Sequence, residues 1–251
     1  MKSLSAFEQA RFEKQIRMPQ LGEQGQLKLK NATVIISRVG GVGGTVAAYL
    51  ARAGIGKLIL IHPGNVETDY LNRWQLAFTE DHLKPAAETF FSHIQRINPA
   101  VEVDVYNSCV TNTETQNLCL QADIIADAAP VFEERYAMNQ SAINFNKPLV
   151  SGAMYGLEGY ITFVKPKQSA CIRCIYPESP AYWKDRNVFP VIGPCPSIVG
   201  SMMAMEIIKY IIGFGELLTD KLWHFDLESN YFNTLQISRN PDCPACGAKN
   251  V

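Results

Sequence analysis

Short apolar runs rich in β-branched residues alternate with longer amphipathic segments along the first 155 residues of the chain. Such runs are typical of buried strands, and the longer segments have the period and length of helices. The predicted strands cover residues 33–37, 57–62, 101–106, 123–127 and 148–151. The predicted helices cover residues 45–53, 83–97, 113–120 and 132–144. This alternation predicts an α/β fold with a Rossmann-like, doubly wound and mostly parallel sheet.

The two ends of the chain have different patterns. Residues 3–20 have the pattern of an amphipathic helix, with Phe7, Phe12 and Ile16 toward one side, and residues 27–29 end a short second helix. After residue 155, strands are predicted at 159–164, 222–226 and 231–237, with one long helix at 197–212. We therefore expect a single domain over residues 1–251, made of a helical arm (1–30), a Rossmann-like part (31–155) and a mixed or antiparallel extension (156–251).

The composition excludes several classes of protein. Hydrophobic residues make up 47 % of the 251 residues and the net charge is −1, so a packed core is expected and a nucleic-acid partner is not. The first 15 residues lack the apolar segment of a signal peptide. The apolar stretch 198–214 is interrupted by Ser201, Glu206 and Lys209, which argues against a membrane span. The predicted location is the cytoplasm.

Four of the seven cysteines form two Cys-x-x-Cys pairs, Cys171/Cys174 and Cys243/Cys246. An odd number of cysteines in a chain without a signal peptide argues against a disulfide framework. Two such turns supply four thiolates, which complete the tetrahedral coordination of a structural zinc ion. A redox pair and unrelated buried thiols are the alternatives. We predict one zinc site that ties the end of the chain to its middle.

A glycine-rich loop follows the first predicted strand and precedes a helix, over residues 38–44. Glycines at a helix N-terminus let the backbone approach a phosphate, which the free N–H groups and the helix dipole attract. The alternative is a tight turn between strand and helix with no ligand. Gly40, Gly41 and Gly43 are therefore candidate ligands of a nucleotide.

Several further motifs have the order and spacing of one known family. The resemblance is to the MoeB/ThiF/HesA family, bacterial E1-like relatives of ubiquitin-activating enzymes, and it covers essentially the whole chain. Residues 176–180 and the pair Gly43-Gly44 are most similar to the HesA branch. The residues that carry the resemblance are 39–43, 47–56, 71–73, 96–99, 125–127, 149–152, 158–159, 204–209 and the two cysteine pairs.

The resemblance implies a homodimer that binds ATP with magnesium and adenylates the C-terminal carboxylate of a ubiquitin-like carrier protein, in many members for sulfur transfer. Carried over to this chain, it implies that Arg73 and Asp127 are catalytic and that Gly40, Gly41, Gly43 and Arg73 bind the nucleotide. Arg38 and Lys84, which the family pattern does not contain, are further candidates because their charge could neutralise the phosphates. It also implies that the four paired cysteines bind the zinc ion.

The sequence departs from the family pattern at the nucleotide site. Loss of the ribose carboxylate, of a phosphate lysine and of the magnesium aspartate would remove main partners of the nucleotide. Arg38 could replace phosphate contacts, fill the pocket or bind a smaller anion. The differing positions, with the family residue in parentheses, are Lys14 (arginine), Arg38 (glycine), His62 and Gly64 (aspartate), Tyr70 (asparagine), Trp74 (glutamine), Ala86 (lysine) and Pro130 (aspartate).

The remaining candidates have structural interpretations. Tyr70 and Trp74 are interpreted as packing residues, with a stacking platform for a base as the alternative. Cys195 precedes a predicted helix, which can lower a thiol pKa, but a packing role is favoured for it. The sulfur-handling cysteine of some family members falls near Arg186, so that role has no support in the sequence.

Three hypotheses of function follow. The first is an ATP-dependent adenylyltransferase that acts on a carrier protein, peptide or small acid. The second is a non-catalytic member, either the inactive half of a heterodimer with an E1-like paralogue or a scaffold in metal-cofactor assembly. The third is a protein that binds a different anion at the altered loop.

Overall fold

The computed structural model describes residues 3–180 and 190–247. Its centre is an eight-stranded sheet with the strand order β3-β2-β1-β4-β5-β6-β7-β8. The first five strands in this order are parallel, and β6, β7 and β8 are antiparallel to their neighbours. The strands are β1 (Thr33–Ser37), β2 (Lys57–Ile61), β3 (Glu102–Tyr106), β4 (Ile124–Asp127), β5 (Leu149–Tyr155), β6 (Glu158–Val164), β7 (Lys221–Asp226) and β8 (Tyr231–Gln236). The predicted α/β fold with a parallel core and an antiparallel extension is confirmed.

Nine α-helices are present within the described residues. Three 3₁₀ turns, at Thr68–Tyr70, Thr79–Asp81 and Leu118–Gln121, accompany them. The helices are α1 (Ala6–Arg11), α2 (Glu13–Ile16), α3 (Gly22–Asn31), α4 (Gly41–Ala53), α5 (Ala86–Ile97), α6 (Thr113–Asn117), α7 (Phe132–Phe145), α8 (Ile172–Ile175) and α9 (Pro194–Ile212).

Alternate residues of the central strands divide the core between the two faces of the sheet. In β1, Val34 and Ile36 belong to a cluster that includes residues of α4, α5 and α9, whereas Ile35 belongs to a second cluster beside α7. Because side chains alternate along a strand, a strand covered on both faces is apolar throughout. The sheet is therefore covered on both faces, as the doubly wound pattern predicts.

Helix α9 is long and apolar because it is a core helix. By length and composition it is the one helix in the described residues that could cross a membrane, and half of that segment is buried in the protein. A Cβ atom on Gly200 would lie 2.5 Å from the carbonyl oxygen of Val42, so this glycine lets α9 approach α4 closely. The packing of α9 in the core accounts for its hydropathy.

Some predicted boundaries are wrong. The predicted helix at 3–20 is two short helices, α1 and α2, with Phe12 between them as a buried anchor. Helix α4 begins at Gly41, four residues earlier than predicted, because its first turn is made of glycines whose low helix propensity hid it. Strand β5 continues to Tyr155, where Gly156, at φ +60°, turns the chain into β6.

Candidate functional site

A pocket of about 810 Å³, including its open mouth, lies at the carboxyl ends of the parallel strands. Strands β2 and β3 lie on one side of β1, and β4 and β5 lie on its other side. The residues that follow β1 (Arg38, Gly40, Gly41) and β4 (Ala128, Ala129) both line this pocket. In doubly wound folds, ligands bind in the crevice where the strand order reverses. The pocket occupies that position.

The glycine loop forms one side of the pocket and the start of α4. Gly40 is the N-cap of this helix, and Gly40, Gly41 and Val42 line the pocket. Gly43 lies below the loop, where a Cβ atom would come within 2.3 Å of the carbonyl oxygen of Arg38. Gly43 is therefore required for the fold of the loop, while Gly40 and Gly41 present backbone to the pocket.

Arg38 closes one side of the pocket by an ion pair. Its Nε donates to Oε2 of Glu134 over 2.7 Å, and its second guanidinium nitrogen donates to Oε1 of the same carboxylate. Glu134 is buried in the first turn of α7, and this bidentate pairing raises the pKa of Arg38 against the opposing effect of burial. Arg38 has a φ of +60°, a left-handed conformation that favours glycine.

His62, Trp74 and Tyr70 form an aromatic stack at the same end of the pocket. The rings of Trp74 and Tyr70 are parallel, with centroids 4.2 Å apart, and the edge of His62 meets Trp74 at 4.8 Å. Burial lowers the pKa of His62 to about 3, so its ring is neutral, and its Nδ1 has no hydrogen-bond partner among the described residues. Trp74 is buried, so the structure agrees with the packing interpretation of Tyr70 and Trp74.

Arg73 lines the pocket beside the glycine loop. Its guanidinium donates to the Asp69 carbonyl over 2.5 Å and to Oδ1 of Asn72 over 2.9 Å, and it lies 5.3 Å from the centre of the Tyr70 ring. Its aliphatic part lies 3.5 Å from the position of a Cβ atom on Gly41. The predicted catalytic residue Arg73 and the predicted glycines are thus brought together.

Besides Gly43, two predicted site residues lie outside the pocket lining. Asp127 is fully buried at the end of β4, where its carboxylate accepts hydrogen bonds from Ser37 over 3.1 Å and Ser151 over 2.8 Å. Burial raises its pKa, and its hydrogen bonds join the ends of β1 and β4 to the neighbouring strand β5. Lys84 extends from the loop before α5 and pairs with Asp81 over 3.0 Å. The catalytic role of Asp127 and the phosphate contact of Lys84 stay predictions.

The sequence reasoning did not identify Arg135, which also lines the pocket. Its Nε donates to the carbonyl of Ala129 over 2.9 Å, and a second nitrogen donates to the Tyr160 hydroxyl. The sequence feature that could have identified Arg135 is its position in the first turn of the helix after β4. A cation at that position faces the carboxyl ends of the parallel strands. Among the described lining residues, three are arginines and none is a carboxylate, so the pocket attracts anions.

The four paired cysteines come together beside α7, in the second core cluster. Their sulfur atoms all lie within 4.8 Å of one another, with Sγ–Sγ distances of 3.6 Å for Cys171–Cys243 and 3.4 Å for Cys174–Cys246. A tetrahedron with metal–sulfur bonds of about 2.3 Å has edges of about 3.8 Å. The cluster has the size and the chemistry that a metal ion requires.

Groups around the cysteines orient the sulfur atoms. The side-chain amide of Asn139 on α7 donates to Sγ of Cys171 over 3.6 Å, and the backbone N–H of Asn240 donates to Sγ of Cys174 over 3.4 Å. The hydrogen bond between Cys171 and Cys174 lowers the pKa of Cys174 and raises the pKa of Cys171. N–H donors to sulfur favour thiolate, the form that binds metals.

The comparisons with known proteins agree with this arrangement. The model of the ThiF family matches residues 12–245 of the chain. The chain belongs to the ThiF family. It is 37 % identical over 248 residues to the heterocyst protein HesA of Trichormus variabilis, with 98 % of this chain and 92 % of HesA covered. It is 34 % identical to the sulfur carrier protein adenylyltransferase of Thermus thermophilus, with 94 % and 90 % covered.

Solved structures share the fold of this ThiF-family chain. E. coli MccB with succinimide has a TM-score of 0.84, and the alignment covers 94 % of this chain and 74 % of MccB. A selenomethionine structure of PaaA has a TM-score of 0.81, with 94 % and 85 % covered. Their identities to this chain are 22 % and 21 %, so they support the fold. The predicted family membership is confirmed.

Two other cysteines of the ThiF-family chain, Cys195 and Cys119, are fully buried. Cys195 is fully buried at the start of α9, and burial raises its pKa to about 11 despite the helix N-terminus. Burial likewise raises the pKa of Cys119 to about 12. Burial of Cys195 agrees with the packing role favoured for it from the sequence, and Cys119 is a packing residue of the same kind. Arg186, the position of the sulfur-handling cysteine in some relatives, lies outside the described residues.

Proposed function

We propose that this ThiF-family chain binds an ATP-type nucleotide in the pocket at the point where the strand order reverses, called the switch-point pocket below. There it adenylates a carboxylate at the C-terminus of a small carrier protein or peptide. The observation that carries the proposal is the position of Arg73 beside the start of α4, because a cation and a helix N-terminus together attract a polyphosphate. The adenylyltransferase among its relatives supports the reaction class.

The reaction requires little covalent chemistry from the protein. A carboxylate oxygen attacks the α-phosphorus, the bond to the bridging oxygen of the β-phosphate breaks, and pyrophosphate leaves with that electron pair. Positioning and neutralisation of negative charge lower the barrier of such a step. Arg73 and the first amides of α4 would hold the phosphates in this chain. The residues present do not fit a magnesium site, because the described lining offers no carboxylate.

We further propose that the four-cysteine cluster holds zinc as a structural ion. Four thiolates at tetrahedral spacing leave no open coordination position, so the ion would stabilise the fold rather than react. A dimer, the cytoplasmic location and a ubiquitin-like carrier as partner belong to the same proposal. They rest on the family and on the adenylyltransferase relative.

ATP–pyrophosphate exchange tests the adenylation proposal. Purified protein is incubated with ATP, magnesium, labelled pyrophosphate and a ubiquitin-like carrier protein that ends in Gly-Gly. We expect exchange that requires the carrier and falls in Arg73→Ala. The same carrier without its terminal glycine is the control. ATP binding without any exchange would contradict the proposal.

A second candidate function has an observation of its own. The arginine-rich lining without a carboxylate favours a non-catalytic member that pairs with an active paralogue. Co-expression with that paralogue separates the two candidates. If exchange appears only with the paralogue and survives Arg73→Ala in this chain, this chain is the inactive half.

A further inference from the structure

The ion pair between Arg38 and Glu134 joins two chain connections beside the pocket. Arg38 follows β1, Glu134 belongs to the helix that follows β4, and these two strands flank the point where the strand order reverses. Arg38 lines the pocket, whereas Glu134 is buried and is not among the lining residues. Ligands of doubly wound folds bind at the carboxyl ends of these strands. The pair therefore holds the Arg38 side chain beside the position in which a nucleoside would bind.

The pair is well buried and held from several sides. The side chain of Glu134 is 4 % exposed and that of Arg38 is 23 % exposed. The thiol of Cys109 lies 3.4 Å from Oε1 of Glu134, and Thr111 donates to this thiol over 3.2 Å. Separation of such a pair leaves an uncompensated buried charge, so the closed arrangement is strongly favoured in the free protein.

Two features distinguish this bridge from an ordinary structural ion pair. Arg38 holds a left-handed backbone conformation that a side chain tolerates poorly. Behind it, Nδ1 of the neutral His62 is buried with no hydrogen-bond partner among the described residues. A ligand hydroxyl that entered the opened crevice would supply that partner.

We propose that Arg38 and Glu134 are specificity-determining residues, which admit a polyphosphate to the pocket and exclude a nucleoside until their ion pair opens. This inference rests on the proposed nucleotide binding. When only a fraction of the molecules is open, the apparent affinity for ATP falls by that fraction. Pyrophosphate, which contacts only Arg73 and the α4 end, does not require opening.

The test compares wild type with the double variant Arg38→Gly/Glu134→Gln. The double variant restores glycine at φ +60° and leaves the net charge unchanged, so phosphate attraction is preserved. Calorimetry measures the binding of ATP with magnesium and of pyrophosphate alone. We expect the double variant to bind ATP at least about tenfold more tightly than wild type, with pyrophosphate affinity changed less than about threefold.

The matched control removes a comparable ion pair near the amino end of β1, away from the pocket. Lys30 and Glu8 are 22 % and 11 % exposed, and Lys30 lies before β1 rather than after it. Lys30→Gln/Glu8→Gln should leave both affinities unchanged. Circular dichroism and thermal melting verify that each variant is folded. Glu134→Gln alone replaces the double variant if the latter does not fold, and it should also bind ATP more tightly.

The outcomes separate this inference from the proposed function. Equal ATP affinity in wild type and the folded double variant, together with exchange activity, overturns the inference and leaves the function intact. Tighter ATP binding without exchange supports the inference and contradicts the function. If neither protein binds ATP, both are wrong.

Discussion

The cysteine cluster and the switch-point pocket are built from opposite chemistry. The cluster brings four soft donors from chain segments 72 residues apart to within one coordination sphere, and its second pair docks against α7 and α8. The pocket collects three arginines and a neutral histidine beside backbone amides. The first could hold a cation, which we expect to stabilise the fold, whereas the charge of the second attracts an anion. Each site therefore has its own experimental readout: stability for the cluster and affinity for the pocket.

The largest effect is expected from loss of the metal. Cys243→Ser removes one of the four ligands, and the free energy of metal binding that supports the fold is lost with it. We expect the free energy of unfolding to fall by about 3 kcal/mol or more, together with loss of the bound zinc. Urea unfolding and metal analysis by mass spectrometry measure these two effects.

Cys119→Ala is the matched control for this prediction. Cys119 is a fully buried thiol in the same apolar cluster but is not a ligand, so its loss costs about 1 kcal/mol and no metal. Purified wild-type protein that holds no metal, and melts at the same temperature with and without a chelator, would contradict the zinc site.

The cluster was predictable from the sequence and much of the pocket was not. Paired cysteines need only local spacing, since Cys171/Cys174 and Cys243/Cys246 each form one turn that presents two sulfur atoms. The strands were predictable for a similar reason: β1 and β2 are apolar in every position between their ends, which identifies strands buried on both faces. These features depend on neighbours in the sequence.

The unpredicted features depend on contacts between distant residues. Arg38 and Glu134 are 96 residues apart, and no local sequence pattern indicates that the guanidinium of Arg38 reaches the carboxylate of Glu134 on α7. Arg135 was missed because its role is visible only when β4 and β6 are adjacent to α7. Asp127 was placed at the site by resemblance, but the hydroxyls of Ser37 and Ser151 hold its carboxylate inside the sheet.

A second prediction concerns His62, the neutral histidine in the aromatic stack of the pocket. Burial lowers the pKa of His62 from 6.5 to about 3, so between these values the unfolded chain binds a proton that the folded chain does not. Stability therefore falls as pH decreases through this window, by about 1.4 kcal/mol per pH unit. From pH 7.5 to pH 5, wild type should lose about 2 kcal/mol more than His62→Leu in urea unfolding.

His82→Gln controls for a histidine on the surface of the protein. His82 is exposed, so its replacement should leave the pH dependence of wild type unchanged. All other residues are unchanged in the three proteins, so the comparison isolates the substituted histidine. If the free energy of unfolding of wild type and of His62→Leu changed in parallel with pH, the His62 ring would be hydrated and would become cationic at low pH in the folded protein.

The smallest effect on stability is expected at Arg73, and this variant separates the two sites most directly. Arg73→Ala removes one charged donor from the phosphate end of the pocket, and a hydrogen bond to a charged group contributes about 1.5–3 kcal/mol. Pyrophosphate affinity should therefore fall at least about tenfold in calorimetry. The free energy of unfolding should change by less than about 1 kcal/mol, because the partners of Arg73 include a backbone carbonyl and an amide at the surface.

Arg17→Ala, which removes an exposed arginine after α2, should change neither quantity. Because the loss of one cysteine ligand should have the reverse effect, on stability and not on anion affinity, a variant of either site that changes both quantities would show that the two sites are coupled.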